Sequence, residues 1–533
     1  MYDLLIRGGR LIDGTGGPSF LADIAVVDDR IVAIGALGDR EATSVIDATG
    51  RMVCPGFVEE HSHSDVTFLV DPLARSMVRQ GVTTLAVGNC GMSAAPVSKD
   101  SLEEYRRAAP LFDFDGYDWN WESTAGYLDA VRAAQPSVNV TTLVGHMPVR
   151  ALATGGASRP ATPEERARMR SMVDEALDQG ARGFSTGLTY QHTVFADTDE
   201  IVESAKALAR YGWTYHTHMR GQGAVLLDSV REAIEIAERA GCPLVISHLY
   251  PAGREAWGQA QAAIDLVEDA RARGIDAGWD VTPWLRGGGP LAQSLPEWLR
   301  EGGMDATLER LRDPVLAERA GRELEAGNDG NSMKPDWDDW LICRASKPES
   351  RSWAGRSIRD IADERGESPV EAVMKMLVED DLGFWIAPTI KSDEDVDLLI
   401  KHPLGIPTAD AFALAPEGSL AYQDRPNSYG TFPRVLGRYV RERGILTWEE
   451  AVHKMTSIPA SRLGLWDRGL LRPGLKADIV VFNPDTVIEK ADYERPQEYP
   501  VGIDHVIVNG QVTVAPNGAA GDEHTGVRAG EVL

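Results

Sequence analysis

The sequence predicts an α/β protein: a (β/α)8 TIM-type barrel with a small composite β-sandwich domain from both termini and an inserted subdomain. Three observations lead there. Strand-like apolar runs alternate with amphipathic stretches through the middle of the chain, and eight runs end near His63, Cys90, His146, Gly187, His218, His248, Thr282 and Asp410. Eight strand–helix units are the count of a closed parallel barrel. The two ends of the chain have another texture, short β-branched runs broken by Gly or Asp turns. Residue types that bind metals stand at the ends of the middle runs, where a barrel of this kind gathers its reacting groups.

The elements follow in order. Leu4 to Gly14 and Asp23 to Gly35 at the start, and Asp478 to Asn483 and Val506 to Val514 near the close, read as strands. Neither end has enough strands to enclose a core alone, so residues 1–54 are expected to pair with 467–533. The barrel then occupies 55–466, with amphipathic Glu164 to Gln179 and Val230 to Ala240 among its helices. The interval between the seventh and eighth strands, about 285 to 400, is longer than one helix requires. It is expected to hold the inserted subdomain, at about 285–345, and insertions of that kind often wall an active site.

Composition narrows the function. At 533 residues the chain exceeds one ordinary core, and 43% hydrophobic with 25% charged residues is an ordinary globular balance. A formal charge of -27 repels phosphate backbones and argues against a nucleic-acid partner. Four cysteines, Cys54, Cys90, Cys242 and Cys343, are too few and scattered for a disulfide framework, so a reducing cytoplasm is the expected location. The first residues lack a basic segment followed by a long apolar one, and no stretch approaches the roughly 20 apolar residues of a membrane span. The expected partner is a small molecule; association with a second copy of the chain is left open.

The chemistry centres on Cys90, which follows the buried-strand pattern Thr83 to Val87 in Gly88-Asn89-Cys90-Gly91. His61 and His63 in Glu60-His61-Ser62-His63 lie two apart, so on a strand they face the same side. His218 and His248 end the runs Trp213-Thr214-Tyr215-His216-Thr217 and Leu244-Val245-Ile246-Ser247. Soft and borderline ligands brought in by separate strands suit a zinc-type site, and Cys90 is the candidate bridge between two ions. Taken singly, each could be a histidine or thiol satisfied inside the fold; their joint placement makes coincidence improbable.

With these residues in view, the chain resembles the amidohydrolase superfamily and, within it, the N-acyl-D-amino-acid deacylase group. The resemblance runs almost end to end. It is carried by Pro55-Gly56-Phe57-Val58 ahead of His61 and His63, Gly88-Asn89-Cys90-Gly91, Leu143-Val144-Gly145-His146 and Gly183-Phe184-Ser185-Thr186-Gly187-Leu188. Thr217-His218-Met219-Arg220, Ile246-Ser247-His248, Gly430-Thr431-Phe432-Pro433-Arg434 and Lys476-Ala477-Asp478-Ile479-Val480 extend it.

The resemblance implies a zinc-dependent hydrolase of an N-acyl-D-amino acid or related amide, holding one tight Zn2+ with room for a second. His61 and His63 would hold the more solvent-facing ion, His218 and His248 the other, and Cys90 the latter or both. Many superfamily members bridge two metals with a carboxylated lysine on strand four, yet this chain has no lysine between Lys99 and Lys206. That leaves Cys90 as the bridge. Asp410, at the end of strand eight, would be general base and then acid; related deacylases more usually read Gly-Ser-Asp-Gly there.

Around the substrate the chain departs from its group. Members commonly follow the sixth-strand histidine with His-Lys, whose lysine meets the substrate carboxylate, whereas here the run is His248-Leu249-Tyr250-Pro251. Gln222 stands where a glutamate is common, and Asp280-Val281-Thr282-Pro283-Trp284 where a Tyr-Pro-Tyr type run is frequent. Tyr190, Arg220 and Arg344 are the candidates for holding an anion, Tyr250 and Trp284 for an aromatic pocket wall. His146 would meet the substrate carbonyl or a bound water, or else support a ligand. A cyclic imide, hydantoin or lactam ring-opener is the alternative chemistry, and a barrel that has lost catalysis the alternative class.

Overall fold

The computed structural model of the chain describes residues 1–112, 114, 116–190, 192–327, 334–421, 425–516 and 523–533. Its architecture is α/β. Eight successive parallel strands are Phe57–Glu59, Val82–Val87, Asn139–Thr142 continued as Val144–Gly145, Gly183–Gly187, Thr214–His218, Leu244–Ile246, Ala277–Val281 and Gly405–Pro407. They are strands one to eight below. Strand two pairs with one and three, and the second half of strand three begins an unbroken parallel series that runs through strand eight. The two groups meet at Leu143, whose N–H donates to the Val87 carbonyl at 2.8 Å. They meet again beyond strands one and eight, where Ser62 bridges Ala411 and the His63 N–H donates to the Ala411 carbonyl at 2.9 Å.

Helices between these strands bury one face each. Pro163–Asp178 begins with a capping box, Thr162 and Glu165 satisfying each other's backbone, and Pro163 costs nothing at a position whose N–H has no helical partner. Its buried residues Met169, Val173, Ala176 and Leu177 recur at helical spacing. Leu226–Ala240 does the same with Leu226, Val230, Ala233, Ile234 and Ala237 and stops at Gly241 with φ 71°.

The two ends of the chain share one sheet. Ile479–Phe482 runs antiparallel to Met52–Pro55, with Val480 opposite Cys54, and this pairing joins Ile503–Val508 and Gln511–Val514 to Tyr2–Leu11, Phe20–Val27 and Arg30–Gly35. Ala42–Asp47 adds parallel to Tyr2–Leu11, so the sheet branches there and encloses Leu4, Ile6, Ile24, Val26, Val53, Ile479 and Ile507. Between strands seven and eight a further core binds Leu291, Leu324, Trp340, Ile342, Val373, Phe384 and Ile386. It extends beyond residue 345 because Trp385–Ala387 pairs antiparallel with Leu341–Arg344, a long-range contact that no local pattern announces. No helix among the described residues is long and apolar enough to cross a membrane.

One glycine bears directly on the site. Gly88 has φ 82°, and a Cβ there would lie 2.2 Å from the Leu143 carbonyl oxygen, between strands two and three. Gly88→Ala is therefore expected to cost at least about 2 kcal/mol and to displace Cys90. Chemical denaturation checks the first effect and zinc retention the second; an unchanged midpoint would show that the turn relaxes.

Candidate metal centre

Strand ends bring the expected ligands together. His61, His63 and Cys90 form one group and Cys90, His218 and His248 another, each with its ligand atoms within 4.8 Å of one another. Cys90 belongs to both. His61 Nε2 lies 3.2 Å and His248 Nε2 3.5 Å from Cys90 Sγ. Asp410 joins from strand eight, its Oδ1 3.1 Å from His63 Nε2 and 3.6 Å from His61 Nε2. Three of these residues leave their strands with positive φ: Cys90 at 52°, His248 at 35° and Asp410 at 49°.

A surrounding layer orients the ring nitrogens. Asp280, fully buried on strand seven, meets His61 Nδ1 with Oδ2 at 3.0 Å and accepts the His248 backbone N–H with Oδ1 at 2.7 Å. A carboxylate on Nδ1 turns the His61 Nε2 lone pair toward Cys90, as in many metal sites. The Gln222 amide meets His248 Nδ1 at 3.0 Å and donates to the His248 carbonyl at 2.8 Å. Glu59, also buried, accepts the N–H groups of His61 at 2.7 Å and Ala409 at 2.6 Å together with the Thr408 hydroxyl. It ties strand one to strand eight, and burial pushes its pKa up to about 8 against these hydrogen bonds.

The electrostatics suit a cation. Burial alone raises the Cys90 thiol, but the charges of His61 and His248 and hydrogen bonds from His218 and His248 outweigh it, so the pKa falls well below the usual thiol value. Burial likewise opposes the Asp410 carboxylate, and the His63 hydrogen bond with the charges of His61, Arg425 and His248 wins, holding it below the ordinary carboxylate range. Two anions, a thiolate and a carboxylate, thus face a cluster of imidazoles in a buried space. One sulfur and four nitrogen donors with a carboxylate beside them fit zinc, singly or as a pair sharing the sulfur.

The other predicted residues divide. Tyr190 reaches the centre, its hydroxyl 3.3 Å from His218 Nδ1, and the Tyr250 ring lies 6.0 Å from that of His248. Trp284 is 3% exposed, donates to the Thr431 hydroxyl at 2.9 Å and is covered by Arg434, so its indole is fixed within a wall. Arg344 is buried across the Trp385 ring at 5.2 Å and the Phe114 ring at 6.0 Å. His146 pairs through Nε2 with Glu200 at 3.0 Å, beside Arg150 on the same carboxylate. Arg220 spends its donors on Glu232 and on the carbonyls of Val194 and Ala196, so an anion would have to displace Glu232. Sequence reasoning missed Asp280, Glu59, Arg425 and Lys391. A buried-strand pattern ending in an acid, Gly278-Trp279-Asp280-Val281, was the available signal for Asp280.

The comparisons with known proteins agree with this geometry. The model of the amidohydrolase family matches residues 44–514, and the chain belongs to that family. A D-aminoacylase of Alcaligenes xylosoxydans xylosoxydans is 36% identical over 96% of this chain and 94% of its own length. The crystal structure of an N-acyl-D-glutamate deacylase from Bordetella bronchiseptica, complexed with zinc and a phosphonate mimic of the tetrahedral intermediate, superposes with a TM-score of 0.82. It is 31% identical, covering 100% of this chain and 99% of that one. A D-aminoacylase structure with a binuclear metal centre, described by one-metal activation and second-metal attenuation, gives 0.82 at 32% identity with both chains fully covered. Within the family, the chain stands in the N-acyl-D-amino-acid deacylase group.

Proposed function

We propose that this protein is a zinc-dependent hydrolase that cleaves the linear C–N amide bond of an N-acyl-D-amino acid or a closely related N-acyl compound. The observation that carries the reading is Cys90, shared between two histidine groups with Asp410 alongside and no lysine on strand four. His61, His63, Cys90, His218 and His248 would hold the metal. Zinc supplies Lewis acidity when bound, acidifying water toward neutrality and polarising an amide carbonyl.

The chain's own groups do the rest. Asp410, ionised at the outset, accepts a proton from water as its oxygen attacks the carbonyl carbon. It then returns that proton to the amide nitrogen as the C–N bond breaks, releasing a carboxylic acid and an amine. Asp280 accepts from His61 Nδ1 and so keeps the Nε2 lone pair free for a metal, while Gln222 fixes the position of the His248 ring. Tyr190, beside His218, is placed to donate to the carbonyl oxygen of the substrate, where a hydroxyl strengthens its hydrogen bond as charge develops. Tyr250 and Trp284 wall the acyl or side-chain pocket. His146, Arg220 and Arg344 act from further out, His146 and Arg220 through Glu200 and Glu232.

The organisation supports the same reading. Strands one to eight read as one closed barrel spanning 55–466, and 1–54 with 467–533 as the composite sandwich. The core from Leu291 to Ile386 marks the inserted subdomain.

The test is zinc analysis coupled to hydrolysis of a panel of N-acyl-D-amino acids, N-acyl-L-amino acids and uncharged aryl amides. Turnover is expected to follow zinc content and to favour the D-configured amides. A zinc-loaded protein that cleaves no linear amide would end this reading.

A further inference from the structure

Lys391 stands where the inserted segment returns to the barrel, two residues before the helix Asp393–Lys401. It is 2% exposed. Its Nζ donates to the Thr282 hydroxyl and, at 3.0 Å, to the Trp284 carbonyl, both just beyond strand seven. The same ammonium lies 4.4 Å from the centre of the Tyr250 ring, which also lies 6.0 Å from the ring of His248.

The Thr282 hydroxyl, the Trp284 carbonyl and the Tyr250 ring that meet this ammonium are all neutral. Among the described residues no carboxylate comes within ion-pair distance of it. Burial pushes its pKa down to about 7, with Asp410 pulling the other way and Arg425 adding to the fall. A buried cation is costly unless a partner neutralises it. Asp410 acts on it through space without contact, its carboxylate engaged by His63 at 3.1 Å and its backbone oxygen accepting from Arg425 at 3.0 Å. A second cation, the Arg425 guanidinium, lies 3.9 Å from Asp410 Oδ2 and is 4% exposed. Lys391 therefore sets a buried ammonium beside the metal ligands that no carboxylate among the described residues contacts.

We propose that Lys391 is a specificity-determining residue of this site, its ammonium receiving the α-carboxylate of the N-acyl amino acid whose amide lies over the Cys90 cluster. The inference rests on the amide-hydrolase reading above and deepens it. It also resolves the departure at His248-Leu249-Tyr250: the cation missing from the loop after strand six arrives from the inserted segment, across the ring of the tyrosine that stands there. Tyr250 is a spacer that touches both the metal-ligand side and the ammonium. A monoanion suits one ammonium with two donors already engaged, and the carboxylate would hold Lys391 in its charged form.

The experiment compares zinc-loaded wild type and Lys391→Met on an N-acyl-D-amino acid and on its uncharged primary carboxamide. Wild type is expected to prefer the carboxylate. Lys391→Met should lose about 30-fold or more in kcat/KM on the carboxylate, chiefly through KM, and stay within about threefold on the carboxamide. Equal losses on both substrates, or no loss on the carboxylate, would overturn the proposal. Turnover of the carboxamide doubles as the check on folding, and Lys391→Gln, which keeps a donor for the Trp284 carbonyl, replaces the methionine variant if that check fails. Should wild type cleave neither compound, the hydrolase reading falls by itself. Equilibrium binding of the same carboxylate then still decides for Lys391, being weaker in the variant if the anchor is real and unchanged if it is not.

Discussion

Asp410→Asn is expected to lower kcat by about 10^3- to 10^4-fold while zinc content stays near that of the wild type. Asparagine keeps the size of the side chain and an oxygen for His63, and it removes the one property the reaction needs, a carboxylate that can take and return a proton. The structure holds that carboxylate ionised through the His63 hydrogen bond and the charges of His61, Arg425 and His248. A KM close to that of the wild type is expected alongside the fall in kcat, because the amide and the α-carboxylate meet other groups. Turnover within about tenfold of wild type would move the base elsewhere and leave Asp410 a partner of His63 alone.

The second large effect is on the metal. Cys90→Ala should lose tightly bound zinc and activity together, with affinity falling by more than the 10- to 100-fold that removal of an orienting neighbour costs. Cys90 is the sole residue common to both histidine groups, so its loss opens both at once. Zinc measured after dialysis against a chelator decides the matter. Near-stoichiometric metal in the alanine variant would show that the histidines and Asp410 suffice, and the sulfur would then be a buried neighbour.

Much of this was legible in the sequence, for one physical reason. Strands buried on both faces read as short apolar runs, and a histidine or cysteine ending such a run is conspicuous. The eight strand ends, and the histidines and cysteine that gather beside them, could therefore be placed without coordinates. The absence of lysine between Lys99 and Lys206 pointed to the sulfur-centred site just as directly. What stayed hidden depends on long-range approach. Lys391 is 109 residues from Thr282, and nothing in Thr389-Ile390-Lys391-Ser392 marks its ammonium as buried. Arg220 and His146 misled in the opposite sense. Both are chemically apt for a substrate, yet Glu232 pairs with Arg220 from 12 residues away and Glu200 hydrogen-bonds His146 from 54. The end of the inserted segment was hidden for a related reason, since the pairing of Trp385 with Arg344 is made in space and not in local pattern.

The positive φ angles at Cys90, His248 and Asp410 have a consequence for redesign. In each case the backbone adopts a shape that glycine takes freely and an L side chain takes at a cost of about 1–2 kcal/mol. A search for sequences that merely fold more stably would therefore be drawn to glycine at all three, each substitution favoured by the backbone and each removing a side chain of the candidate metal centre. The strain is a local signature of work the chain does other than folding. Stabilised variants of this protein are best sought in the terminal sheet or the inserted core, with these three turns held fixed.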